Sequence, residues 1–124
     1  MTKKIVLDFG SFEMMAELFD TPVADSLYDA LPQTIALTHW GRELYGSVSG
    51  AHGSYQPVPH IPVGGLAYTD QGSYFCVFYG QSPAWPVEHV GRVLQTDLSS
   101  FEAGRPGTLT VRKAVAVPDE ILSE

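Results

Sequence analysis

Residues 64–80, GGLAYTDQGSYFCVFYG, form the most regular pattern in the chain: two runs of aromatic and β-branched residues joined by Asp70-Gln71-Gly72. Runs of this composition on either side of a glycine-containing turn are typical of an antiparallel pair of strands. Side chains alternate along a strand, so Cys76 lies on one face of the second run while Phe75 and Val77 lie on the other. A strand that is apolar on both faces is expected to be buried on both sides.

Two further hairpins are predicted upstream of this pair. Residues 4–9 and 12–18 alternate between apolar and polar side chains, and Gly10-Ser11 separates them. A two-residue connection with glycine at its first position suits a type II′ turn, because that position needs a positive φ. Residues 34–48 show the same period of two, interrupted by another glycine-first turn at Gly41-Arg42.

A single amphipathic helix is predicted between these two hairpins. Thr21-Pro22 provides an N-cap followed by proline in the first helical position, where its missing N–H costs nothing. Val23, Leu27 and Leu31 recur every four residues until Pro32 stops the pattern. The expected helix has about three turns.

The remaining segments predict short strands separated by loops. They are an irregular loop over 50–62, a proline-bracketed loop before a strand at 89–94, a short helical turn at 98–101, a last strand at 108–117, and an acidic, frayed tail. The chain thus has seven or eight strands and one clear helix. Many short strands in so short a chain favour a mainly β fold, a closed or nearly closed barrel with the helix covering an open end, because closure removes exposed sheet edges.

Composition limits the functional classes. A chain of 124 residues fits one domain, residues 1–124, and its single cysteine forms no disulfide framework, so a cytoplasmic location is expected. No segment approaches the roughly 20 apolar residues of a membrane span, so no membrane partner is expected. The net charge is −7 and the bases are scattered, which argues against binding to nucleic acid.

Several short motifs resemble those of one family. In chain order they are Leu31-Pro32, Trp40-Gly41-Arg42-Glu43-Leu44-Tyr45, Gly64-Gly65-Leu66-Ala67-Tyr68, Phe78-Tyr79-Gly80 and Gly91-Arg92-Val93. The pattern is similar to that of small prokaryotic cyclophilin-like-fold proteins of unassigned function and, more distantly, to that of cyclophilins. The resemblance covers nearly the whole chain and implies an eight-stranded, cyclophilin-like barrel over residues 1–124.

Cyclophilin activity is not implied by this resemblance. Cyclophilins use an arginine on the strand after the first helix to hydrogen-bond the twisted X-Pro amide, and the corresponding residues 44–50 contain no arginine. The cyclophilin glutamine and phenylalanine would fall on Tyr74 and Cys76, and Asp70 would take the place of a peptide-binding asparagine. Trp85 and His89 resemble the pair that closes the proline pocket.

The residues that could carry catalytic or metal chemistry favour structural roles. An apolar strand interior raises the pKa of a thiol, which argues against Cys76 as a nucleophile with His89 as its base. The four histidines, at positions 39, 52, 60 and 89, lack the spacing that brings two imidazoles to one ion, so neither a metal nor another cofactor is expected. Asp70 is explained either by turn chemistry, which is favoured, or by ligand binding.

Trp40 allows two interpretations, of which the buried one is favoured. Trp40 and Arg42 could form an exposed recognition element, or Trp40 could be buried beside a turn whose Gly41 adopts a positive φ.

Two classes of function are compatible with these observations, with binding preferred. The barrel is expected to hold a small molecule or short peptide in a lateral groove walled by Tyr45, Tyr68, Tyr74, Trp85 and His89, with Asp70 as a polar anchor. The alternative is a weak prolyl isomerase in which Arg42 or Arg92 replaces the absent arginine. A further alternative is an accessory subunit of a metabolic enzyme, and a homodimer is compatible with all three.

Overall fold

The computed structural model describes residues 2–114, which contain nine strands and two helices. The strands are β1 (Lys3–Asp8), β2 (Glu13–Leu18), β3 (Gln33–Ala36), β4 (Thr38–Trp40), β5 (Glu43–Ser47), β6 (Gly65–Thr69), β7 (Tyr74–Phe78), β8 (Glu88–Val93) and β9 (Thr108–Lys113); the helices are α1 (Pro22–Asp29) and α2 (Ser99–Gly104). The mainly β fold expected from the sequence is confirmed. The predicted continuation of the last strand to residue 117 and the acidic tail lie outside the described residues.

All neighbouring strands are antiparallel, and their order is β3-β9-β1-β2-β8-β6-β7-β5-β4. The two edge strands, β3 and β4, follow each other directly in the chain, so the chain itself crosses the seam of the barrel. Gly46 on β5 lies so close to β3 that an added Cβ would overlap the Ile35 side chain and the Ala36 carbonyl oxygen. The sheet is therefore a nearly closed barrel with one seam.

The strand count is nine rather than eight because the predicted run at 34–40 is divided. The Leu37 N–H donates to the Gly107 carbonyl at 2.9 Å, and the residues on either side of Leu37 pair with different strands. β3 pairs with β9, whereas β4 pairs with β5. The second predicted hairpin is thus formed by β4 and β5 alone, with Gly41 in the turn at φ +58°.

The N-terminal hairpin and helix form as their local sequence predicts. β1 and β2 pair from Lys3–Leu18 to Asp8–Glu13, and Gly10 in the connecting turn has φ +90°. The Thr21 hydroxyl caps α1 by accepting the Ala24 N–H at 3.3 Å. α1 ends at Asp29, earlier than its apolar period suggested.

A small aromatic cluster anchors α2 to the barrel. Phe101 is completely buried, lies edge-on to Phe9 with ring centroids 5.2 Å apart, and stacks against Tyr79 at the same distance. α2 extends the predicted helical turn at 98–101 as far as Gly104.

Apolar side chains fill two separate clusters, and β7 contributes to both. Phe75 and Val77 belong to the main cluster inside the barrel, while Cys76 and Phe78 belong to a smaller one on the outer face. Part of the irregular loop covers this outer face, where Val58 and Val87 exchange two backbone hydrogen bonds of 2.8 and 3.0 Å. The prediction that this strand is buried on both faces is therefore confirmed.

Candidate functional site

An open cavity of about 360 Å³ lies on the outer face of β4, β5 and β7, beside the smaller apolar cluster. Its lining residues are Trp40, Glu43, Tyr45, Thr69, Tyr74, Cys76, Phe78, Pro83, Ala84, Trp85 and Val87. Strand alternation brings many of them together, because the cross-strand pairs Glu43–Phe78 and Tyr45–Cys76 present their side chains on the same face. Segment 83–87, between β7 and β8, forms the opposite wall.

Aromatic side chains account for five of the eleven residues that line the cavity. Tyr45 and Tyr74 meet edge to face with centroids 5.1 Å apart. The Trp85 indole N–H donates to the Thr69 hydroxyl at 3.1 Å, which holds the loop tryptophan against β6. Trp40 and Trp85 remain 49% and 41% exposed, so both indoles present ring surface to solvent and to the cavity. The favoured prediction that Trp40 is buried is thus wrong, because about half of its surface is exposed.

Glu43 places a carboxyl group in this apolar surrounding. The residue is only 7% exposed, and among residues 2–114 no lysine or arginine forms an ion pair with it. Burial disfavours the ionised form and raises the pKa of Glu43 from 4.5 to about 7, although a hydrogen bond from the Cys76 thiol opposes this change. The cavity therefore holds a carboxyl group that can change its charge near neutral pH.

The thiol of Cys76 is unsuited to nucleophilic chemistry. Burial, together with the neighbouring negative charge of Glu43, strongly raises the pKa of Cys76 above its ordinary value. A thiol in this environment keeps its proton, and the thiolate is the reactive form.

Three of the six residues predicted to bind a ligand come together at the cavity: Tyr45, Tyr74 and Trp85. Tyr68 does not join them. It is completely buried inside the barrel, where its hydroxyl donates to Ser73 Oγ at 3.3 Å and accepts the His52 N–H at 3.4 Å. Alternation explains the difference, because the neighbour Thr69 faces the cavity while Tyr68 faces the core.

The other two predicted residues also lie outside the cavity. Asp70 is exposed in the turn between β6 and β7. His89 packs edge-on against Phe19 with centroids 4.9 Å apart, and burial lowers the pKa of its imidazole. Its Nε2 has no hydrogen-bond partner within the described residues.

Glu43 is the cavity residue that sequence reasoning missed. Among the acidic residues, the sequence predicts a possible binding role for Asp70 alone. The available signal was the period of two, which places Glu43 on the same face as Tyr45.

The two arginines considered for catalysis are engaged elsewhere. Arg42 pairs with Glu102 at 3.1 Å, and the Arg92 Nε donates to Glu17 at 2.9 Å. Neither arginine lines the cavity.

Residues 2–114 contain neither a cluster of metal ligands nor a helix that could span a membrane. No three histidine, cysteine or acidic side chains are placed to share a metal ion within this range. Over the same range, the helices are too short or too polar to span a membrane.

Comparisons with known proteins identify a matching family and similar solved structures. A family model described as cyclophilin-like matches residues 3–112. The structure is similar to that of the hypothetical protein AF2241 from Archaeoglobus fulgidus, with a TM-score of 0.75 and 22% identity over 91% of this chain and 95% of that one. It is also similar to McbB, solved in complex with tryptophan, with a TM-score of 0.70 and 20% identity; the match covers 93% of this chain and 46% of McbB. No curated protein matches the chain significantly.

Proposed function

This chain belongs to the cyclophilin-like family, and we propose that it is a binding protein that holds a small molecule or a short peptide in its lateral cavity. The observation that carries the proposal is the cavity of about 360 Å³, walled by Tyr45, Tyr74 and two tryptophans around one buried carboxyl group. Ligand sites commonly combine apolar and aromatic walls with a few polar groups, in a volume of about 300–1,000 Å³.

Small organic ligands fit these dimensions better than an extended peptide. A volume of about 360 Å³ suits a small organic molecule, whereas most of an extended peptide would lie outside it. Among the similar structures, McbB is described with tryptophan bound, so tryptophan is one reasonable compound to test. At 20% identity the likeness concerns the fold, and the ligand has to be found by experiment.

The chain provides its own reporter of cavity occupancy. It has two tryptophans in total, Trp40 and Trp85, and both line the cavity. A ligand that enters will therefore change the fluorescence of every tryptophan in the protein, without background from a remote indole. Non-fluorescent amines, alcohols, carboxylic acids and dipeptides can be screened in this way, and tryptophan by thermal shift and calorimetry.

Replacement of Tyr74 by alanine tests whether a compound binds in the cavity. Removing this ring should weaken a ligand that packs against it by about tenfold, which corresponds to about 1.4 kcal/mol. The matched control is Tyr55→Ala, since Tyr55 is 73% exposed and does not line the cavity. The proposal fails if no compound gives a saturable change, or if Tyr74→Ala binds as tightly as the wild type.

Prolyl isomerisation receives no specific support from the arrangement of the arginines. Both Arg42 and Arg92 are held in ion pairs away from the cavity. Accelerated cis/trans exchange of a proline peptide by the wild type, lost in Arg42→Ala or Arg92→Ala, would reverse this assessment. A role as an accessory subunit stays a prediction.

A further inference from the structure

We propose that the cavity selects an organic cation, an amine or a quaternary ammonium, with the Glu43 carboxylate as its counter-ion. This inference rests on the proposed function, because it assumes that the cavity binds a ligand.

The charges around the cavity have one sign. Glu43 is more than nine-tenths buried and faces the cavity, while the remaining lining residues are aromatic, apolar, threonine or cysteine. Within residues 2–114, no lysine, arginine or histidine lines the cavity. A bound anion would be repelled by the Glu43 carboxylate, and no positive side chain would compensate for this repulsion. A bound cation would instead supply the positive counter-charge that the carboxylate does not find in the protein.

The aromatic residues surround this carboxyl group in a way that suits a cation. Trp40 on β4 is the cross-strand partner of Glu43 on β5. Tyr45 lies two residues after Glu43 on β5, on the same face of the strand. Tyr74 and Trp85 also line the cavity. The negative face of an aromatic ring attracts alkylammonium groups, and aromatic cages that include an acidic side chain exploit both attractions. The net charge of −7 also favours the approach of cations over anions.

Binding should be coupled to proton release from Glu43. The titratable groups that face it are the Cys76 thiol and Tyr74 phenol from β7 and the Tyr45 phenol from β5. β4 and segment 83–87 contribute indoles, which do not titrate. Because the pKa of Glu43 is about 7, a cation that binds below pH 7 must first displace a proton from the carboxyl group. Affinity should then fall about tenfold for each pH unit below 7 and become constant above it.

A matched pair of soluble probes separates charge from shape. 2-Phenylethylammonium and 2-phenylethanol have similar size and the same ring, and the ammonium keeps its proton from pH 5 to pH 8, as a lysine does with a pKa of about 10.4. Binding is measured by tryptophan fluorescence and by calorimetry on the wild type, on Glu43→Gln and on the control Glu13→Gln. Glu13 is exposed on the N-terminal hairpin, so its replacement removes the same charge away from the cavity.

The wild type at pH 8 should bind the ammonium at least tenfold more tightly than the alcohol. Glu43→Gln should lose most of this preference for the ammonium, and Glu13→Gln should behave as the wild type. From pH 8 to pH 5 the wild type should lose roughly 100-fold in affinity for the ammonium. Its affinity for the alcohol should stay constant.

The possible failures are distinguishable. If the wild type binds the alcohol as tightly as the ammonium, the cation inference is overturned while the proposed function stands. If neither probe binds, the inference is again overturned, and the wider compound panel decides on the proposed function by itself. If Glu43→Gln does not fold, the wild-type profile still decides, because an affinity for the ammonium that is independent of pH contradicts the role of Glu43.

Discussion

Replacement of Glu43 by glutamine should stabilise the folded protein, and the gain should be larger at pH 8 than at pH 5. The glutamine amide has nearly the shape of the carboxyl group but never ionises. The variant therefore avoids the cost of holding a negative charge in the apolar cavity, where the wild-type side chain is 7% exposed.

The direction follows from the raised pKa. In the folded state the pKa of Glu43 is about 7, whereas its ordinary value is 4.5. Between these two values the folded protein keeps a proton that the unfolded chain has released, so the free energy of unfolding falls as the pH rises. The stabilising contribution of the protonated carboxyl group is complete below pH 4.5 and is lost by the time the pH exceeds 7.

The magnitude comes from the same two values. At about 1.4 kcal/mol for each pH unit between 4.5 and 7, complete ionisation costs the folded state about 3 kcal/mol. Most of that interval lies between pH 5 and pH 8. The stability difference between Glu43→Gln and the wild type should therefore grow by about 2 to 3 kcal/mol over this range.

Urea unfolding followed by far-UV circular dichroism at pH 5, 6, 7 and 8 measures this difference. Contributions from all other ionisable groups are shared by the two proteins and cancel. Any constant cost of the new amide, such as an unsatisfied N–H donor, shifts the whole curve without changing its slope. Only the pH dependence of the difference is therefore attributed to Glu43.

Glu17→Gln provides a control with the opposite physical situation. Hydrogen bonds from Lys4 and Arg92 hold the pKa of Glu17 below its ordinary value of 4.5. Its stabilising contribution is complete above pH 4.5 and is lost only as the pH falls through the lower, folded-state pKa. Glu17→Gln should thus be destabilised by the same amount from pH 5 to pH 8. The interpretation of Glu43 is refuted if the difference for Glu43→Gln is equally flat, or if it decreases as the pH rises.

Two further predictions concern the fold. Gly46→Ala should destabilise the protein by about 3 kcal/mol in urea unfolding, because the new Cβ would overlap the Ala36 carbonyl oxygen across the seam. Gly107→Ala is the control, since a Cβ at Gly107 meets nothing within 4 Å, and it should change the stability by less than about 1 kcal/mol. Equal effects of the two substitutions would contradict a tightly closed seam. Phe101→Ala should cost about 3 to 5 kcal/mol, because Phe101 is fully buried between aromatic rings; a cost below about 1 kcal/mol would show that α2 does not depend on this anchor.

Local features of the chain were predictable from the sequence. The turn at Gly10, the cap at Thr21 and the strands on either side of residues 70–73 form as expected. Each depends on interactions between residues close in the chain: a backbone conformation that glycine allows, a hydroxyl beside a free helix N–H, and the alternation of side chains. The number of short strands favoured a barrel, and the resemblance to cyclophilin-like proteins indicated its type, because the order of these local elements matches that family.

The division of the strand at Leu37 was not predictable in this way. No glycine or proline interrupts residues 33–40, so the sequence gives no local signal for a break. The N–H of Leu37 still follows the β3–β9 pairing by donating to Gly107, seventy residues later, whereas β4 pairs with β5. Closure of the barrel decides which of two distant strands each half pairs with, and this information is not contained in either half.

The candidate site likewise has features that depend on local sequence and features that depend on tertiary structure. The sequence by itself determined which side chains of β5, β6 and β7 share a face, because side chains alternate along each strand. Only the tertiary structure decided which face is the barrel interior, which placed Tyr68 in the core and Tyr74 in the cavity. It also decided that segment 83–87 covers the outer face beside Glu43. Burial is a property of everything packed around a group, so the carboxyl group that gives the cavity its charge became recognisable only when strands and loops distant in sequence were brought together around it.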